Sequence, residues 1–161
     1  MAFERIFGIQ KIGAEKQAKS QSTGMTLTKK IITTKNAPRH NAPFSQGVVL
    51  DTTLYVSGVI GMDKDTMKLV DGDFSAEVRQ TLRNLGAILQ AANSSYEKVV
   101  KVTVFLSDLN DFVALNNVYK EFFTKDFPAR SAFQVSKLPM NARVEIEAVA
   151  ATGNMKTICC H

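Results

Sequence analysis

The sequence predicts an α+β chain, a single mixed β-sheet of about six strands with two helices packed on one face. Three observations predict it. Residues 143–150 alternate strictly, with Val144, Ile146, Ala148 and Ala150 pointing one way and Arg143, Glu145 and Glu147 the other, the period of a strand with one packed face. Two stretches, one from Asp73 to Asn93 and one from Asp108 to Phe122, instead repeat apolar residues at steps of three and four, as a helix lying on a core does. The order of elements is three strands, helix, strand, helix, two strands, and two helices cover only one sheet face. The other face mixes charge with apolar groups, as Thr103, Phe105, Glu145 and Val149 illustrate. A sheet of that kind is expected to be completed by oligomerisation.

Residues 1–24 differ in character from the rest of the chain and trail into Lys-Ser-Gln-Ser-Thr-Gly; they read as a flexible N-terminal extension. A mitochondrial transit peptide would be Arg-rich and poor in acids, whereas this stretch has one Arg and both Glu4 and Glu15. The expected location is therefore cytoplasmic, with a mitochondrial one left open. Lys30–Thr34 is a short first strand, and 36–46, with Pro38 and Pro43, is a loop. Gly47–Leu50 and Leu54–Ser57 form a hairpin across Asp51-Thr52-Thr53, and Gly61–Gly72 is a loop.

The first helix starts at Asp73 or Ser75 as N-cap, with Glu77 in the first turn where negative charge suits the helix dipole. Val78, Leu82, Leu85, Leu89 and Ala92 form its buried stripe, and Asn93 is a left-handed stop. Lys98–Leu106 is the strongest strand, with Val100, Val102, Val104 and Leu106 on one face. Asp108 caps the second helix, whose buried stripe is Phe112, Leu115, Tyr119 and Phe122. Asn116 lies beside that stripe and either fixes a loop or contacts a ligand. The last two strands flank a proline-bearing turn: Arg130 opens the first, directly after Pro128-Ala129, and residues 143–150 form the second. Paired as an antiparallel hairpin turning between Ser136 and Pro139, they would bring Arg130 near Glu145 on the charged face. A guanidinium so placed beside a carboxylate is either a salt bridge or a site for a small anion.

Totals narrow the chemistry. The chain has 161 residues, 45% hydrophobic and 22% charged, which fits one ordinary domain. No apolar run approaches the roughly 18 residues of a membrane span. A net charge of +5 permits weak contact with nucleic acid, but Lys29-Lys30 is the only adjacent basic pair, so a nucleic-acid partner is not the expectation. The only histidines are His40 and His161, and the only cysteines are Cys159 and Cys160. That leaves no zinc-site spacing and no disulfide framework, and there is no Gly-rich phosphate loop. No metal and no organic cofactor is expected. The chemistry falls to Arg, Glu, Ser, Asn, Tyr and backbone groups.

Several of these residues also carry a likeness. Pro128-Ala129-Arg130-Ser131, then Lys137-Leu138-Pro139, then Val144-Glu145-Ile146-Glu147-Ala148-Val149-Ala150 resemble the signature of the RidA family (also called YjgF/UK114). The resemblance runs from about Ile31 to Gly153, which sets a RidA-like domain at 25–153 between the 1–24 extension and a 154–161 tail. Ala42-Pro43-Phe44-Ser45-Gln46-Gly47 resembles the family's Gly-Pro-Tyr-Ser/Val-Gln segment, with Phe44 where many members have Tyr, so the ring is kept and the hydroxyl is absent. Ser57-Gly58 resembles the Ser-Gly at the family's cleft floor, with Val59 where Gln often follows. Asn116 matches an Asn of the family's helix, and Ala132 stands where many bacterial members have Cys.

The resemblance implies a chorismate-mutase-like fold, a homotrimer with active sites between subunits, and hydrolysis of 2-iminobutanoate and 2-iminopropanoate to 2-keto acids and ammonia. It implies that Arg130 clamps the substrate carboxylate and that Glu145 positions the attacking water and shuttles its proton. Phe44, Ser57, Gly58, Asn116 and the main chain of Ala132 would complete substrate binding, and Glu147 would be a subunit-contact or surface residue. Two other classes stay open. One is an endoribonuclease that inhibits translation, since family members have been described so. The other is a trimer that binds small carboxylates, or holds unfolded chains, without turnover.

Overall fold

A computed structural model of the chain describes residues 26–39 and 41–158; the 1–24 extension, Met25, His40 and Cys159-Cys160-His161 lie outside them. The elements follow the expected order: β1 (Lys29–Ile32), β2 (Gly47–Leu50), β3 (Thr53–Ile60), α1 (Phe74–Ala91), β4 (Val99–Leu106), α2 (Phe112–Phe122), β5 (Ala129–Gln134) and β6 (Val144–Ala151). One six-stranded sheet runs β1-β2-β3-β6-β4-β5. It is mixed, because β4 and β5 are parallel and the remaining neighbours antiparallel.

Both helices lie on the face carrying Leu54, Val56, Val102, Val104, Val144 and Ile146, which join Val78, Leu82, Leu85, Leu89, Leu115 and Val118 in one core. Each such side chain contributes about 1.5–3 kcal/mol by leaving water. Asp73 caps α1, its carboxylate accepting from Ala76 N at 2.8 Å. Asn93 adopts φ 56°, and Ser94 N returns to Leu89 O at 2.9 Å, which satisfies the orphan carbonyls at the helix end.

Four expectations are corrected. β5 and β6 do not pair, because β4 lies between them. Arg130 has Val102 as its partner across β4, and Glu145 has Phe105. The physical reason is the crossover through α2, which returns β5 parallel to β4. The chain then passes over the end of β4, where Val135 N donates to Leu106 O and Ser107 N to Arg143 O. In β4 a register shift between Val99 and Lys101 turns Val99 inward and leaves Val100 50% exposed. Asp108 caps a one-turn 3₁₀ segment, Leu109–Asp111, ahead of α2, so α2 starts a turn later than expected. Phe112 is consequently exposed and Val118 takes an inner position. Finally, β1 ends at Ile32. Beyond it Gln46 captures the backbone of Thr34, with Oε1 accepting from Thr34 N at 2.7 Å and Nε2 donating to Thr34 O at 3.1 Å.

Candidate active site

β3 breaks its ladder with β6 between Val56 and Val59, and a bulge of this kind re-aims the chain locally. Ser57 and Gly58 occupy it. Ser57 Oγ donates to Ser45 O at 2.7 Å and Ser57 N to Gln46 O at 3.2 Å, which fastens the 41–46 loop to the bulge. Gln46 is itself buried, and its Nε2 also donates to Pro38 O at 2.9 Å. Loop and bulge together form the wall of a cleft of about 450 Å3. Phe44 sits on its rim and is 53% exposed; Ser57, Gly58, Val59, Met140 and Glu145 also line it.

Gly58 leaves room for the Glu145 side chain. A Cβ there would overlap Glu145 Oε1 and lie 2.8 Å from Glu145 Cδ, so the carboxylate is seated on bare backbone. Partial burial raises the Glu145 carboxyl above its ordinary value, and the like charge of Glu147 adds to the effect. A carboxyl raised that way holds a proton more readily than an ordinary carboxylate, which suits a group that accepts and returns one.

Arg130 is built separately. Its Nη2 donates to Asn116 Oδ1 at 2.6 Å, and its Cζ lies 4.7 Å from the Tyr119 ring centre and 5.5 Å from that of Phe112. A hydrogen bond and two aromatic faces hold the planar guanidinium in one orientation. Ala132 follows on the same face, opposite Val104. The Tyr119 hydroxyl is buried without a hydrogen-bond partner, and burial raises its pKa to about 12 against the opposing charge of Arg130.

The nominated residues therefore fall into two groups. Phe44, Ser57, Gly58 and Glu145 meet at the cleft. Arg130, Asn116 and Ala132 meet on the helix-covered face at the β5 edge. Glu145 alternates onto the opposite, uncovered face, with the strand β4 between it and Arg130. The expected approach of Arg130 to Glu145 does not occur within one chain. Sequence reasoning missed Gln46 as the anchor of the rim loop, and Phe112 and Tyr119 as the rings under Arg130. Their spacing of three and four residues from Asn116 was the available signal, since i, i+3 and i+4 positions share a helix face. Among the described residues no group of three or more His, Cys, Asp or Glu is placed to hold a metal ion.

Comparison with known proteins gives consistent matches. A family described as Endoribonuclease L-PSP matches residues 34–152. The chain is 58% identical over 132 residues to the RutC family protein UK114 of Drosophila melanogaster, covering 82% of this chain and 96% of that protein. It is 47% identical over 132 residues to the 2-iminobutanoate/2-iminopropanoate deaminase of Homo sapiens, with the same coverage of 82% and 96%. Among solved structures, E. coli TdcF with bound serine superposes with a TM-score of 0.73 at 40% identity, over 77% of this chain and 99% of that one.

Proposed function

Because the chain belongs to the Endoribonuclease L-PSP family, the RidA/YjgF proteins, we propose that it hydrolyses 2-iminobutanoate and 2-iminopropanoate to 2-keto acids and ammonia. The human relative at 47% identity bears that activity in its name. The observation that carries the reading is the carboxylate of Glu145 seated in the Gly58 bulge of the cleft with its pKa raised.

The reaction asks little of a protein beyond placement. An iminium carbon is already electrophilic, so holding it beside a water supplies much of the rate gain. Arg130 receives the substrate carboxylate in two parallel charge-assisted hydrogen bonds. Glu145 takes a proton from water as its oxygen bonds to the C=N carbon and the π electrons move to nitrogen. The carbinolamine then collapses. Glu145 gives that proton to the amine nitrogen, the C–N bond breaks with its electron pair passing to nitrogen, the hydroxyl gives its proton to Glu145 as C=O forms, and ammonia takes up that proton and leaves as ammonium.

One chain carries these parts on opposite faces of its sheet, so a second copy is needed to complete a site. The active form is a homotrimer in which Arg130 of one subunit faces the Glu145 cleft of another. The uncovered face supports this reading: Ile31, Tyr55 and Phe133 are exposed on it, and an apolar patch of that kind marks an interface. Release of 2-keto acid and ammonia from freshly generated 2-iminobutanoate tests the proposal. Acceleration over buffer that Glu145→Gln removes supports it, and a wild-type protein no faster than buffer overturns it.

A further inference from the structure

Two polar side chains of α1 that take no part in the steps above are only 2% exposed, Glu77 and Asn84. Seven residues separate them, two helical turns, so they share one face of the helix. Both reach the backbone of the strands beneath. Asn84 Nδ2 donates to Ile60 O at 3.0 Å and to Met62 O at 2.8 Å, gripping the end of β3. Glu77 Oε1 accepts from Arg143 N at 2.7 Å and its Oε2 from Arg143 Nε at 2.8 Å, gripping the residue before β6. Arg143 is fixed on its other sides too, since its carbonyl accepts from Ser107 N at 3.0 Å and its Nη2 donates to Gly72 O at 3.2 Å.

The gripped backbone is the backbone that carries the cleft. Ile60 is the register partner of Glu145, and Arg143 precedes Glu145 by two residues. The fit between helix and strand is close as well. A Cβ at position 61 would come within 2.6 Å of Glu77 O, so Gly61 lets the end of β3 approach α1. Burying a carboxylate is costly, and an apolar pair of similar volume would pack without that cost. What the carboxylate adds is direction, because it holds one particular N–H of the chain.

Resting on the deaminase reading, the geometry points to Glu77 as a positioning residue. Its carboxylate fixes the start of β6 and thereby the seat of Glu145 over Gly58. On the strands beside Glu145, the charged groups of the same face are Glu147 on β6 and Lys101 on β4, whose Nζ donates to Ser131 Oγ at 2.9 Å. Neither belongs to the Glu77 cluster, but Arg143, two residues from Glu145, does, so a change at Glu77 reaches Glu145 through the backbone of Arg143 and through its charge.

The test is steady-state kinetics of the full-length protein on 2-iminobutanoate, comparing wild type, Glu77→Gln and Glu145→Gln, each shown to be folded by circular dichroism. Glutamine at 77 keeps one acceptor and turns an amide NH2 donor toward the Arg143 donors. The expected result is a fall in kcat of about tenfold with KM held within about twofold, as loss of a group that acts in the transition state produces. The acidic limb of the kcat profile should also move toward 4.5, the ordinary carboxyl value from which burial raises Glu145. A purely structural Glu77 would lower the melting temperature and leave both kcat and that limb in place, and this result overturns the inference. Where Glu77→Gln does not fold, the double variant Glu77→Leu with Arg143→Leu removes both charges together and is read in the same way. An inactive Glu145→Gln beside an unchanged Glu77→Gln removes the inference alone. A wild-type protein without turnover removes the deaminase reading and this inference with it, whereas a fully active Glu145→Gln beside an active wild type removes the role of Glu145 and this inference and leaves the deaminase reading standing.

Discussion

Gly58 leaves the volume that the Glu145 carboxylate occupies: a Cβ on residue 58 would overlap Glu145 Oε1. The carboxylate is therefore held against the backbone of the β3 bulge, and displacing it is a one-methyl experiment. Gly58→Ala is expected to lower kcat on 2-iminobutanoate by about 10²-fold, at the low end of what a positioned general base contributes. The stability loss should stay within about 1–3 kcal/mol, the usual cost of an added methyl in a packed site. Kinetics and thermal melting of one variant read both quantities.

Arg130 and Asn116 predict a different signature. The 2.6 Å hydrogen bond between them orients the guanidinium fork that the proposed mechanism sets against the substrate carboxylate. Asn116→Ala should lower kcat/KM by about tenfold, in line with one hydrogen bond to a charged group. Arg130→Lys should fall nearly as far as Arg130→Ala, because an ammonium cannot reproduce the planar pair of donors. Substrate-dependence curves for the three variants check this ordering.

The proposed role of Glu145 as base predicts a pH dependence. Its folded-state carboxyl lies above 4.5, first through burial and second through Glu147, so the active carboxylate is lost as pH falls through that raised value. The acidic limb of kcat, corrected for the buffer reaction, should lie above 4.5 in the wild type. Glu147→Gln removes a like charge and should shift the limb downward. An upward shift, or none, would contradict the assignment of that limb to Glu145.

Tyr119 offers a test of the support beneath Arg130. Its ring faces the guanidinium. Tyr119→Phe keeps the ring, so kcat/KM should stay within about twofold of wild type. Tyr119→Ala removes the ring and should raise KM.

Much of this fold was legible in the sequence because it is written in local periods. The alternation of Val144, Ile146 and Ala148, the stripe of Val78, Leu82, Leu85 and Leu89, and the cap Asp73 each depend on near neighbours, and the structure has all of them. What was not legible lies at long range. A period of two tells which face a side chain takes and not which strand lies beside it, so β5 and β6 read as a hairpin although β4 separates them. The better signal was the helix between β4 and β5, which demands a parallel crossover. Val100 was misplaced by a register shift that no alternation announces. Glu77 read as a charge suited to a helix start, whereas its partner Arg143 is 66 residues away. The candidate site divides the same way. Its residue types were identified by their order along the chain, but their separation onto two faces of the sheet became visible only in three dimensions.

That separation gives the most direct measurement. Arg130→Ala and Glu145→Gln chains, each inactive alone, are co-expressed with two tags and purified as mixed oligomers. If Arg130 of one subunit serves the Glu145 cleft of the next, a cyclic trimer that holds both kinds of chain has both groups intact at about a third of its sites. The account predicts that the mixture hydrolyses 2-iminobutanoate at about that fraction of the wild-type rate. Mixed oligomers as inactive as their parents, beside an active wild type, would contradict a site assembled from two copies of this chain.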